Sequence, residues 1–336
     1  MAWPTPTLPA LRSEPAKLVA MNETTLGRPE PLNAAQQSVI DRLGKGGAEP
    51  LEFPAELAGE LRAELESGLG PVVALHGDDR LVLSKGLLDG IHGCEARYLA
   101  DSGDFRWTTA SAKGVVAHKA IEISITRPTE RVALDLIDEA IARFRSDEFG
   151  VGDFLARADD STVDDVRAQA NTYLAKFLEA WPPLSRRWRP VTEMSMRVEL
   201  LDDQVLLTGK PDLTLGVPKG TQAGKVIVDF KTGGHSPGHR ADLRFYALLD
   251  TLRLGTPPRL LATSYLDSAR LEVEAVDDDL LFAEVRRVID AGARYVALKG
   301  GDEEPRRNPG PPCRWCSLQD DCEPGQGYLA DQADRW

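Results

Sequence analysis

The chain has 336 residues, 42% of them hydrophobic, with a formal net charge of −13. That supports one large domain, or a domain with an accessory piece. No apolar run reaches the ~18 residues of a membrane span, the Pro-rich start lacks the apolar centre of a secretory signal, and the acidic balance argues against a generic polyanion binder, which is basic.

Residues 1–30 read as a disordered tail on a cytoplasmic protein, with Met21 as an alternative start. Residues 31–78 read as a helical N-terminal accessory region, since LNAAQQSVIDRLG (32–44) and PAELAGELRAELESGLGPVVAL (54–75) have helical spacing. DRLVLSKGLLDGIHGCEARYLA then leads into a helix carrying Cys94, with Ser84 as its N-cap. ASAKGVVAHKAIEISITR (110–127) predicts another helix. PTERVALDLIDEAIARFRS and STVDDVRAQANTYLAKFLEAW predict two amphipathic ones, the second capped by Ser161 or Thr162. After Trp181 the pattern turns to strands. VTEMSMRVELL and QVLLTG flank a turn at Asp202-Asp203, KPDLTLGVP continues, and GKVIVDFKTG is the most apolar. SPGHRADLRFYALLDTLRLG reads as a helix, PRLLATSYLD and ARLEVEAV as strands, and DDDLLFAEVRRVIDAGARYVALKGG as a last long helix. Helices first, then a hairpin-rich sheet with a crossover helix, make an α/β layered fold.

Two charged residues interrupt the most apolar strand. Asp229 and Lys231 lie two apart, so both point to one side of the sheet. On the preceding strand Asp212 can stand beside Asp229. Two carboxylates that close repel unless a cation neutralises them, and an oxygen-rich set of this charge suits Mg2+ or Mn2+ better than Zn2+. Lys231 then faces a bound phosphate or orients the attacking water. Such a set serves metal-assisted phosphodiester hydrolysis.

Further along lie candidate contacts and a second metal centre. SRRWRP interleaves Arg186, Arg187 and Arg189 with Trp188, which suits phosphates and an unpaired base, or else marks a solvated helix end. This stretch is locally basic: from Leu184 to Tyr246 there are ten Lys/Arg against seven Asp/Glu. Gly233, Gly234 and His235 follow the motif and leave room for a phosphate to approach backbone. Cys313, Cys316 and Cys322 form C-x2-C-x5-C, with Cys94 far upstream. Four thiolates suit Zn2+ or an iron–sulfur cluster, and either would staple the first helix to the C-terminal tail across a long loop. Trp315 is expected to shield that centre. No G-x-x-x-x-G-K-[ST] loop occurs, so no ATPase motor is expected in this chain.

The pattern GKPD…IVDFKTG resembles the PD-(D/E)xK nuclease superfamily, in particular its RecB/Cas4-like branch. GVVAHKAIE resembles that branch's upstream helix motif, which makes His118 a metal ligand. DLRFYALL resembles its later helix motif: Tyr246 matches, while Asp242 stands where Gln is usual. GIHGCEARYL and CRWCSLQDDC resemble the split cysteine set of a [4Fe-4S] cluster, with Glu95 where Pro is usual. The resemblance covers roughly residues 80–325. It implies a restriction-endonuclease-like core with a central mixed β-sheet flanked by helices, spanning 79–325, followed by a tail over 326–336. It further implies a catalytic set of Asp212, Asp229, Lys231, His118 and Tyr246. His118, Asp212 and Asp229 would hold Mg2+ or Mn2+. Cys94, Cys313, Cys316 and Cys322 would hold a [4Fe-4S] cluster, with Zn2+ as the alternative. Glu122 is expected to hydrogen-bond His118 or help at the metal, and Glu193 to be a solvated edge or a further ligand. The implied activity is a deoxyribonuclease, exonuclease rather than endonuclease, acting on single strands or ends in repair, recombination or defence, with a helicase as a possible partner class and no membrane. Two rival readings are a catalytically inactive DNA-end-binding adaptor and an iron–sulfur redox protein.

Overall fold

A computed structural model describes residues 31–44, 49–77, 79–101, 106–127, 132–147, 150–236 and 238–333. The tail expected over 1–30 lies outside the described residues. Two helices come first: α1 (Ala34–Leu43) and α2 (Leu57–His76). Strand β1 (Leu81–Ser84), α3 (Lys85–His92) and α4 (Glu95–Asp101) follow. Next come α5 (Thr109–Thr126), α6 (Ala133–Arg145), α7 (Val151–Arg157) and α8 (Asp160–Ala180). The strand-rich half runs β2 (Val191–Thr192), β3 (Met196–Leu200), β4 (Val205–Gly209), β5 (Leu213–Leu215), β6 (Val226–Lys231), α9 (Gly238–Leu254), β7 (Leu260–Tyr265) and β8 (Arg270–Ala275). Helices α10 (Asp278–Gly300) and α11 (Glu323–Ala333) close the chain. Among the described residues no helix is long and apolar enough to cross a membrane.

The strands form two sheets rather than one. A five-stranded mixed sheet has the order β2-β5-β6-β7-β8, with β6 and β7 parallel, and a three-stranded sheet has the order β1-β4-β3. The stretch VTEMSMRVELL, expected as a single strand, is divided between them. Glu193 takes a φ of 51°, a left-handed conformation that ends β2 and redirects the chain into β3. Strand β1 had no separate signal: it is four residues long, and its parallel partner β4 lies over a hundred residues away. The parallel pair β6 and β7 is joined through α9, as parallel strands require a crossover.

Each face of the large sheet carries its own core. One core combines α2, α3, α9 and α10 with the small sheet, through Leu61, Leu65, Leu88, Phe245, Val285 and Ile227. The other packs α1, α5, α6, α7 and α8 on the opposite face, through Ile121, Ile137, Leu174, Val228 and Phe230. Helix α2 packs into the first core: Leu57, Leu61, Leu65 and Leu69 recur every four residues and are fully buried there.

Several local expectations change. Ser84 does cap α3, accepting from Leu87 N–H at 3.3 Å. Cys94 is not within a helix but in the break between α3 and α4, with its carbonyl accepting from Tyr98 N–H. Asp159, rather than Ser161 or Thr162, caps α8; its carboxylate accepts from Thr162 N–H at 2.7 Å. Helix α7 is too short to show periodicity. The stretch expected as a tail over 326–336 is helical as far as Ala333.

Candidate active site

Strand β6 organises the site. Val226, Val228 and Phe230 face one core and Ile227 the other. Alternation therefore puts Asp229 and Lys231 on the Ile227 side, toward α9. There Lys231 Nζ lies 2.8 Å from Asp229 Oδ2 and 2.8 Å from Asp242 Oδ2 of α9.

Register brings in two more acids. Leu213 of β5 stands opposite Val228 in an antiparallel pair, so one step further Asp212 stands opposite Asp229. Thr192 of β2 stands opposite Leu213, so Glu193 comes next to Asp212, and Glu193 N–H donates to Asp212 O at 3.0 Å. Glu193, Asp212 and Asp229 thus form a row across three strand ends. Asp212 is held at both oxygens: Oδ1 is 3.1 Å from His118 Nδ1, and Oδ2 accepts from Phe230 N–H at 2.6 Å. Helix α5 delivers His118, whose ring meets Phe230 edge to face at 6.5 Å.

His118, Glu193 and Asp212 each offer a ligand atom, all within 4.8 Å of one another. Asp229 stands beside this trio rather than in it. Its Oδ2 is buried and lies 2.8 Å from the Lys231 ammonium. A buried carboxylate next to a trio of one nitrogen and two carboxylates is a donor set that fits a hard divalent cation. Glu193 is the member that sequence reasoning left open. It is tethered by Lys210, and nothing in the local sequence separates it from an ordinary charged edge. Glu122 pairs with Lys119 instead of His118.

The charges reinforce one another. Burial opposes a charged His118, but Asp212, with Asp229 and Glu193 behind it, outweighs that and raises it above the usual value. Burial likewise opposes an ionised Asp212, yet His118 and the Phe230 N–H hold it below the ordinary range. Asp229 has no such relief: burial and then the Asp212 charge push it up to about 6. For Lys231, Asp229 and Asp242 overcome burial and keep the ammonium protonated. Asp242 is 3% exposed. It is held low against burial by Lys231 and by a second lysine, Lys85, at 3.0 Å. Tyr246 is buried one helical turn after Asp242, and burial with the three aspartates raises its hydroxyl. Its ring packs over Gly209, where a Cβ would come within 2.8 Å of the ring.

The four cysteines line one cleft of about 820 Å³, which Asp242 and His239 also line. All four are half-buried free thiols. Gly325 leaves the space they need, since a Cβ there would lie 3.2 Å from Cys322 Sγ and 3.5 Å from Cys313 Sγ. Among the described residues no three of the sulfurs lie within 4.8 Å of one another. Trp315 is 76% exposed and does not cover the sulfurs. Arg186, Arg187 and Arg189 are exposed at a short 3-10 turn, and Trp188 packs half-buried against the second core.

A family model described as the PD-(D/E)XK nuclease superfamily matches residues 83–323. No curated protein matches the chain. Among solved structures, a candidate exonuclease from Eubacterium rectale aligns with 14% identity over 82% of this chain and 93% of its own, with a TM-score of 0.43. A protein designated SSO0001 aligns with 13% identity over 71% of this chain and 95% of its own, with a TM-score of 0.29.

Proposed function

Since the chain belongs to the PD-(D/E)XK nuclease superfamily, we propose that it is a Mg2+- or Mn2+-dependent deoxyribonuclease of the RecB/Cas4-like kind, acting as an exonuclease on single strands or ends. The observation that carries this reading is the row Glu193, Asp212 and Asp229 across three strand ends, with Lys231 against Asp229. His118, Asp212 and Glu193, with Asp229 alongside, are the residues that would hold the cation. A bound divalent ion supplies Lewis acidity to the scissile phosphate and lowers the pKa of a water. Phe230 N–H and His118 fix the Asp212 carboxylate so that its orientation is set before substrate arrives. Lys231, kept charged by Asp229 and Asp242, offers its ammonium to the negative charge that develops on phosphate oxygens. The complete set of Asp212, Asp229 and Lys231 disfavours an inactive adaptor.

In the same cleft as Asp242, Cys94, Cys313, Cys316 and Cys322 would hold a [4Fe-4S] cluster that staples the C-terminal segment to α3 and α4. The room left by Gly325 supports this. A role in DNA repair, recombination or defence, cytoplasmic location and a helicase partner follow only from the resemblance. The domain reading that best suits the packing joins α2 to the nuclease core.

The test is cleavage of single-stranded, duplex and flapped DNA by purified protein with Mn2+, beside an Asp229→Ala variant. Metal-dependent cleavage that the variant loses supports the reading. Absence of cleavage by the folded wild-type protein on all three substrates overturns it. Iron and sulfide analysis, with the visible spectrum, tests the cluster separately.

A further inference from the structure

Lys85 is the first residue of α3 and was given no role by any motif. Its Nζ lies 3.0 Å from Asp242 Oδ2, the oxygen that also receives Lys231 Nζ at 2.8 Å. Two ammonium groups therefore share one buried carboxylate oxygen at the edge of the active site. The three side chains differ in access: Asp242 is 3% exposed, Lys231 14% and Lys85 33%. Lys85 is thus the cation of this set that reaches solvent. Its charge is also felt at Asp229. It stands where the N-terminal backbone N–H groups of α3 add positive potential.

We infer that Lys85 is a second phosphate-binding lysine of the active site, parked on Asp242 and presented to the phosphodiester next to the one being cleaved. The inference rests on the nuclease reading and extends it to how the substrate strand is held. Asp242 serves as a positioning residue for both lysines. It is fixed on α9 and anchors Lys231 from the side away from β6. It also keeps the long Lys85 side chain folded toward the site rather than into solvent. A phosphate that arrives from solvent meets Lys85 first and adds a further negative charge against the paired ammonium groups. A lysine suits this use because its ammonium binds phosphate as a point charge on a flexible stem and can exchange partners.

The test uses the full-length protein and a labelled single-stranded oligonucleotide. Binding is measured by fluorescence anisotropy in Ca2+ over a range of salt, and cleavage in Mn2+ gives kcat and KM. Each phosphate contact contributes about 0.7 to the slope of log K against log salt for single strands. Lys85→Ala is expected to lower the magnitude of the slope by about 0.7 and raise KM about tenfold, with kcat changed less than about threefold. Lys85→Arg is expected to restore the slope, and Lys85→Gln, which keeps a hydrogen bond to Asp242 without the charge, is not. Asp242→Asn is expected to lower kcat as well, because Lys231 loses its anchor. Thermal unfolding of each variant separates folding defects from binding defects. A wild-type slope and KM in Lys85→Ala, or full recovery by Lys85→Gln, would overturn the inference while leaving the nuclease reading intact, provided Asp229→Ala is inactive. A wild-type protein that neither binds nor cleaves the oligonucleotide overturns both.

Discussion

Glu95→Ala should cost the protein about 3 kcal/mol and release its C-terminal segment. Glu95 is 1% exposed. Its Oε1 accepts from Arg294 Nε at 2.7 Å, and its Oε2 accepts from Arg294 Nη2 and from Arg306 N–H, each at 2.7 Å. Arg294 also donates to Glu304 O at 2.7 Å. One carboxylate thus ties α4, α10 and the segment leading to the cysteines into a single buried knot beside Cys94. Removing one partner of a buried pair costs ~3–5 kcal/mol, because the other charge is left stranded. Arg294 keeps a half-exposed partner in Glu303, which sets the expectation at the lower end. Unfolding entropy of about 2.1 cal/mol/K per residue gives about 0.7 kcal/mol/K over 336 residues. A loss of ~3 kcal/mol therefore lowers Tm by about 4 °C. Calorimetry measures the shift, and limited trypsin digestion reads faster cleavage after Arg306 and Arg307. The same pair has a pH signature. The Arg294 hydrogen bonds hold Glu95 below its ordinary value, so its stabilisation is present above the unfolded value of about 4.3 and is lost as pH falls through the lower folded value. A Tm within about 1 °C of wild type, with no change in digestion, would refute the reasoning.

Three further outcomes follow from the site. Glu193→Gln should weaken Mn2+ binding by about tenfold or more in calorimetric titration; unchanged affinity would remove Glu193 from the metal set. Because Asp229 is raised to about 6, a proton competes with the cation below that pH. Apparent Mn2+ affinity should fall as pH drops from 7 to 5, by up to about tenfold per unit, and equal affinities at the two pH values would contradict this. Gly209→Ala inserts a Cβ within 2.8 Å of Leu249 Cδ1 and the Tyr246 ring. Overpacking of this kind costs ~1–3 kcal/mol, and it should lower both Tm and cleavage by displacing Tyr246; a neutral effect on both would show that the ring moves freely.

The motif on β6 was legible because a strand has a period of two. Once VIVDFK is read as a strand, Asp229 and Lys231 must share a face, and Val228 and Phe230 must take the other. Asp212 could be paired with Asp229 for the same reason, as a neighbour on the next strand. Helices α5, α8, α9 and α10 were legible from apolar spacing. Elsewhere the periodic signal was too short or was interrupted. Strand β1 offers four residues and α7 seven, and the break between β2 and β3 depends on one left-handed residue, Glu193. The cap of α8 lies two or three residues before the one its sequence suggests, since Asp, Ser and Thr are almost equally good caps and four of them stand in a row from Asp159 to Thr162.

The sequence by itself determined which chemistry is available: a carboxylate pair with a lysine on one strand face, and four thiols split one and three. It could do so because strand and helix periods act over a few residues and need no distant partner. Only the tertiary structure decided which other groups join that chemistry. Glu193 enters through the register of a two-residue strand, Lys85 through a helix that begins more than a hundred residues before β6, and Asp242 becomes a bridge because two lysines converge on it. Such partners meet through packing of segments far apart in the chain, and no local pattern encodes the distance between them.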